Sequence, residues 1–208
     1  MFEQMTIKDF TDILSTKEPV PGGGGASGLC AGVGMALGSM VANLTSGKKK
    51  YAAYQEEIEE ILEKAEKIRA ELLDGMNRDA EAFEPLSKAY GLPKETPEQI
   101  AAREEVLAGA LLDASNAPLA LMAKILEAMA LMERLSEIGS KLAISDVGVG
   151  AQLLLAALKG ASLNVYINTN LMKDRALAES LNKKANRMIM QGEMLTQVTY
   201  ERVLKTIQ

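Results

Sequence analysis

The residues able to do chemistry in this chain are few, because histidine is absent and there is a single cysteine, Cys30. Ser-His-Asp and Cys-His arrangements are excluded, and so are histidine-containing zinc sites and thiolate cages. In an enzyme of this composition, proton transfer falls to Asp, Glu, Lys or Tyr. No Asp-x-Asp-x-Asp loop or Glu-x-x-His pair offers a metal set, and no metal is assigned. Lys48, Lys49 and Lys50 stand in a row with Tyr51 directly after them, on a chain of 23 basic and 28 acidic residues. Such a local cluster either meets an anion or is a solvated charge run at a helix junction. Ser39 with Asn43, and Asn164 with Asn168, are spaced four apart, so each pair shares one helix face. The first pair is read as lining a pocket. The amides of the second pair can meet a ligand's donor-and-acceptor edge or bond one helix to another. Asp146 falls near an expected helix start, where a carboxylate complements the dipole. Asp79, in RDAEAF, reads on its own as a solvated helix residue like Glu81 and Glu84.

The elements that position these residues are all expected to be helices. Apolar residues make up 48% of the chain but aromatics only 4%, so the core is built from Ala, Leu, Ile, Val and Met. Ile7, Phe10, Ile13 and Leu14 recur at helical spacing, ending before Pro19 and Pro21. Residues 26–45 carry no charge and leave no wet face. Residues 51–89 read as a long helix with Ile58, Ile61, Leu62, Ala65, Ile68, Leu72 and Leu73 three or four apart, with an irregularity expected at Gly75 and an end or kink at Pro85. Thr96, Pro97 and Gln99 supply a capping box for a helix over 97–138, which Pro118 is expected to kink or break. Two more helices are expected over 145–172 and from Asp174 onward. The expected fold is all-α, a bundle of five to seven helices in one domain, residues 1–208.

The glycines at 22–25 and the uncharged run after them admit several readings. A Walker loop needs Lys and Ser or Thr after its last glycine, and here GGGGASG is followed by Leu29. A dinucleotide fingerprint needs a preceding strand, and KEPVP is not one. A membrane span would suit the lysine flank and the Gly-x-x-x-Gly pairs at Gly28 with Gly32 and Gly34 with Gly38, but Ala and Gly drive insertion weakly. A buried helix whose glycines let neighbouring backbones approach closely is the reading preferred. The charge of −5 argues against a nucleic-acid partner. Glu3, Lys8, Asp9 and Asp12 are not the basic start of a secretion signal, so a reducing cytoplasm is expected, with no membrane partner.

PGGGGASGL, SMVANLTSGKKKY, RDAEAF, LPKETPEQ, ISDVGVGA and LNVYIN, in that order from Pro21 to Asn168, resemble the formiminotetrahydrofolate cyclodeaminase family, which includes the bacterial methenyltetrahydrofolate cyclohydrolases. The resemblance implies an all-helical homodimer acting on folate, with no cofactor beyond the tetrahydrofolate substrate. The first implied activity is cyclisation of 5-formiminotetrahydrofolate to 5,10-methenyltetrahydrofolate with release of ammonia. The second is hydrolysis of the methenyl compound to 10-formyltetrahydrofolate. A folate-binding or scaffolding dimer without activity is the third.

Asp79 matches the family's catalytic aspartate. Lys48, Lys49 and Lys50 are expected at the glutamate tail of folate, monoglutamyl or polyglutamyl, with Tyr51 beside the ligand. Asp146 lies in the recurrent SDxGV block, and Asn164 and Asn168 are expected on the pterin. The chain departs from the family pattern at Gly25, where members often carry Ser, and in GSKLAISD, where many are asparagine-rich.

Overall fold

The glycine run opens a helix rather than a loop. In the computed structural model, which describes residues 1–208, Gly22 is the extended N-cap and α2 runs from Gly23 to Thr45. That start lies three residues before the expected one. Glycine costs about 1 kcal/mol per position in a helix interior, but first-turn N–H groups need no intrahelical partner, and the small residues are used for close packing. A Cβ on Gly28 would stand 2.9 Å from the Leu72 carbonyl oxygen, and one on Gly150 would stand 2.8 Å from that of Gly34.

The element order is α1 (Ile7–Leu14), α2 (Gly23–Thr45), α3 (Gln55–Tyr90), α4 (Pro97–Ile138), α5 (Ile144–Leu171) and α6 (Arg175–Ile207), with short 3₁₀ turns at Phe2–Gln4, Lys49–Tyr54 and Lys141–Ala143. There are no strands, as the all-α expectation requires. Helix α2 packs on α3 and α5, α4 on α3 and α5, and α6 covers α4 and α5. Met35, Met122, Met129, Met132, Leu154 and Leu158 fill the centre. A smaller cluster, Leu86, Ala110, Leu111, Ala114, Met172 and Ala178, closes the end where α3 finishes and α6 begins. Three stretches, Gly23–Thr45, Pro97–Ile138 and Lys141–Leu171, are long and apolar enough to cross a membrane by length and composition alone. In α2, 56% of the most apolar window is buried inside the bundle, so interhelical packing uses most of that apolarity.

Neither proline ends its helix, which corrects the expected end at Pro85 and break at Pro118. Pro85 lies inside a continuous α3 on an exposed face, where the carbonyl of exposed Glu81 that loses its donor can be hydrated. Pro118 is buried inside a continuous α4. The carbonyl it orphans belongs to Ala114, and Asn168 of α5 donates its Nδ2 to that oxygen at 2.8 Å. Gly75 is helical, and a Cβ there would lie 3.0 Å from Leu121 Cδ1 of α4. The capping box forms as expected, Gln99 N–H donating to Thr96 Oγ1 and Thr96 N–H to Gln99 Oε1, each at 3.3 Å. Asp174 caps α6 by accepting from Leu177 N–H at 2.9 Å.

Two stability predictions arise here. Gly150→Val places side-chain atoms against the Gly34 carbonyl and Met132, so unfolding by urea should show a loss of about 1–3 kcal/mol. Asn168→Leu leaves the Ala114 carbonyl without a donor, so it should lose about 1–3 kcal/mol. Restoring a backbone N–H with Pro118→Ala should recover part of that second loss; a double variant no more stable than Asn168→Leu alone would mean the amide has some other role.

Candidate active site

Asp79 projects from α3 against the first turn of α2. The fit is so close that a Cβ on Gly24 would stand 1.9 Å from Asp79 Oδ1. No side chain caps the α2 N-terminus, and the Gly25 N–H donates to the Asp79 carboxylate. The helix end supplies partial positive charge at the carboxylate. Burial is the larger influence and pushes the Asp79 carboxyl above its ordinary value, while the Gly25 N–H pulls it part of the way back. A carboxyl held this way can exist in both protonation states nearer neutrality than a solvated one, as proton transfer requires.

The half-buried Asp79 opens on a cavity of about 280 Å³ whose walls include Gly22 and Gly23 of the glycine run, Phe83 and Tyr90 of α3, and Asn164, Ile167 and Asn168 of α5. Asn164 donates Nδ2 to the Gly160 carbonyl at 3.1 Å, one turn earlier in α5, and its amide lies 3.6–3.7 Å from the Cβ that Gly23 lacks. Asn168 has its Nδ2 committed to Ala114. The Asn168 amide thus ties α5 to α4, whereas the Asn164 bond stays within α5, and both side chains line the cavity.

The remaining expected site residues lie elsewhere. From Gly24 to Thr45 is 21 residues of α2, or about 32 Å, and Lys48, Lys49, Lys50 and Tyr51 follow that far end. There Lys48 Nζ donates to Ser140 Oγ at 3.4 Å, Lys50 lies over the Tyr51 ring at 5.6 Å, and the Tyr51 hydroxyl accepts from Lys141 N–H at 3.1 Å. Tyr51 thus fastens the turn after α2 to the turn before α5, and the Lys141 N–H holds its hydroxyl below its ordinary pKa. Asp146, in the first turn of α5, belongs to this same end. Ser39 donates to the Met35 carbonyl and Asn43 Nδ2 to that of Ser39. They face an open depression shared with Glu59, Glu63, Glu66 and Arg69, where three carboxylates oppose an anionic ligand. Within one chain the structure gathers Asp79, Asn164 and Asn168, and does not bring the lysines, Tyr51, Ser39, Asn43 or Asp146 to them.

Gly24, Phe83 and Tyr90 escaped the sequence reading. Phe83 and Tyr90 stand four and eleven residues after Asp79, a spacing that returns to one face of a helix. That periodicity was visible, but only the fold says which face of α3 meets the glycines.

An all-helical frame sets a carboxyl raised by burial against a glycine helix start, beside two amides, an arrangement able to move protons without thiol or imidazole chemistry. Residues 6–187 match the family described as formiminotransferase-cyclodeaminase, and the chain belongs to that family. It is 41% identical, over 95% of both chains, to a methenyltetrahydrofolate cyclohydrolase of Methylorubrum extorquens. It is 32% identical to the formimidoyltransferase-cyclodeaminase of Dictyostelium discoideum, matching 95% of this chain and 36% of that longer protein. A crystal structure of formiminotetrahydrofolate cyclodeaminase from Thermotoga maritima superposes over 100% of both chains with a TM-score of 0.89 at 28% identity. These relatives agree with the fold and the folate one-carbon chemistry that the sequence blocks imply.

Proposed function

We propose that the chain is a methenyltetrahydrofolate cyclohydrolase, adding water to the 5,10-methenyl bridge to give 10-formyltetrahydrofolate. The observation that carries this reading is the half-buried Asp79, its carboxyl raised by burial, on the wall of a cavity that Asn164 and Asn168 also line. The bridge is an amidinium cation, and a carboxylate beside it stabilises that charge. Water attacks the bridging carbon while Asp79 takes its proton. The tetrahedral intermediate then loses its bond to N5 as Asp79 returns its proton to N5, the carbinol O–H releases its proton to solvent as the C=O forms, and the formyl group stays on N10. The full-length similarity to the Methylorubrum cyclohydrolase puts hydrolysis ahead of cyclodeamination, reversing the order given by the sequence blocks.

Cyclodeamination is the second reading, favoured by the likeness to the Thermotoga cyclodeaminase. N10 attacks the carbon of the protonated formimino group, and Asp79 carries the N10 proton to the amino group, which leaves as ammonia. Methenyl absorbance separates the two: it falls with 5,10-methenyltetrahydrofolate in a cyclohydrolase and rises with 5-formiminotetrahydrofolate in a cyclodeaminase. Neither change with active controls would leave a folate-binding or scaffolding role.

We also propose a homodimer formed through α2 and α5. Val33, Met40 and Leu44 on α2 and Val149, Leu163 and Ile167 on α5 are 39–67% exposed, a long apolar face that a second copy would cover. An antiparallel pairing would bring one subunit's lysine end toward its partner's Asp79 cavity, which is how Lys48, Lys49 and Lys50 would reach the glutamate tail. Mixing Asp79→Asn subunits with subunits carrying Ala at all three lysines should then restore about a quarter of wild-type sites on random pairing. No gain over the separate variants would remove the shared-site assignment. Leu163→Lys should shift the mass in light scattering to the monomer. An unchanged mass would exclude this face, and binding of the wild type to lipid vesicles would assign the face to a membrane instead.

A further inference from the structure

A second cavity, of about 290 Å³, adjoins the Asp79 cavity, and Tyr90 and Leu171 line both. Its walls are apolar, chiefly Leu107 and Leu111 of α4, Leu171 of α5 and Leu177 of α6. One cation in this wall is poorly satisfied. Arg103 makes a single contact, Nη2 to the Tyr90 carbonyl oxygen at 3.5 Å, while its Nε is buried with no partner. The two carboxylates that also line the cavity are engaged elsewhere. Glu104 is ion-paired with Lys173, and Asp174 accepts the Leu177 N–H as the α6 cap. The slot thus abuts the reacting cavity along Tyr90 and Leu171 and offers leucine walls and a guanidinium whose Nε lacks a partner.

We propose that this slot holds the p-aminobenzoyl-glutamate portion of the folate substrate, the aminobenzoyl ring lying between Leu107, Leu111 and Leu177 and the α-carboxylate taken by Arg103. The proposal rests on the folate reading given above and adds to it the residues that bind the substrate beyond its pterin. A flat aromatic amide followed by a carboxylate matches the slot's leucine walls and its guanidinium. Arginine's planar fork suits a carboxylate in two parallel hydrogen bonds, and the buried Nε would gain the partner it lacks. The lysines, at the far end of α2, are left for any further glutamates through a partner subunit, so the first glutamate and the lysine run are separable in experiment.

The test compares 5,10-methenyltetrahydrofolate with 5,10-methenyltetrahydropteroate, which lacks the glutamate. Arg103→Ala should raise KM for the folate by roughly 10- to 100-fold, as loss of a charge-assisted hydrogen-bond pair does, with kcat nearly unchanged and KM for the pteroate unaltered. Arg103→Lys keeps the charge without the fork and should fall between. If the alanine variant does not fold by circular dichroism, the same comparison is made on the lysine variant. A KM rise of equal size for both substrates, or none for the folate, overturns the assignment. Binding of p-aminobenzoyl-L-glutamate, but not p-aminobenzoate, to the wild type by calorimetry should be abolished in Arg103→Ala. This readout needs no turnover, so a wild type inactive on both folate substrates would sink the cyclohydrolase reading while leaving the subsite to be judged by binding. Failure of p-aminobenzoyl-L-glutamate to bind the wild type would sink the subsite.

Discussion

Asp79→Asn should lower kcat for methenyltetrahydrofolate hydrolysis by roughly 10²–10⁴, the contribution that a positioned acid–base group supplies. The substitution keeps the size and an oxygen able to accept the Gly25 N–H, so the seat against α2 survives. It removes the negative charge and the basic oxygen, the two properties the reaction uses. With no histidine in the chain, no imidazole can take over the proton. KM should change little, since Asn164, Asn168 and the walls of the cavity are untouched. A variant that turns over within a few-fold of wild type would assign Asp79 to capping the α2 N-terminus alone.

The same carboxyl makes a pH prediction with a definite sign. Burial raises the folded-state pKa of Asp79 above its unfolded value, so in the interval between the two the folded state binds more protons than the unfolded one. Stability contributed by this group is therefore full at low pH and falls as pH rises through that interval, the reverse of a salt-bridged aspartate. Asp79→Asn carries no such penalty and should be at least as stable as wild type at pH 7 in urea unfolding. A capping residue with no chemistry would show the opposite, a loss of stability. In activity, the acid limb of kcat should sit above the ordinary carboxylate range, because hydrolysis needs the ionised form. That limb should be absent from the residual rate of the asparagine variant.

The helices were legible because apolar residues recur three and four apart and because Thr96, Pro97 and Gln99 form a local box that needs no tertiary partner. The two prolines signalled helix ends that do not occur, for one physical reason. Proline removes a hydrogen bond, but whether the orphaned carbonyl ends the helix depends on what else reaches it, and for Ala114 that is Asn168, 54 residues away. The lysine run was legible as a charge cluster but its distance from Asp79 was not, because separation in space follows from the direction of α2. Asp79 was recognisable through the family block and not through its own chemistry. Nothing in RDAEAF distinguishes it from Glu81 and Glu84, both exposed on the outer side of α3, until the fold turns Asp79 toward the glycines. Arg103 could not be singled out at all, since a poorly satisfied guanidinium is a property of its neighbours.

Gly24→Ala should cost about 10² in kcat/KM, although alanine is the better helix former by about 1 kcal/mol and propensity alone predicts a more stable α2. The single added carbon would stand 1.9 Å from Asp79 Oδ1, 2.2 Å from its Cγ and 2.5 Å from Oδ2, so the whole carboxyl must move. Helix α2 cannot retreat from α3, because its opposite side is pressed on α5, where a Cβ on Gly150 would stand 2.8 Å from the Gly34 carbonyl oxygen. The side chain of Asp79 is the part free to rotate, and a displacement of about 1 Å at a reacting group is enough for a loss of that size. The loss should be absent against the asparagine background. If Gly24→Ala acts only by misplacing the carboxylate, then Gly24→Ala combined with Asp79→Asn should be no slower than Asp79→Asn by itself. A further 10²-fold drop in the double variant would mean that the glycine serves the substrate directly, through backbone approach at the α2 N-terminus, rather than through Asp79.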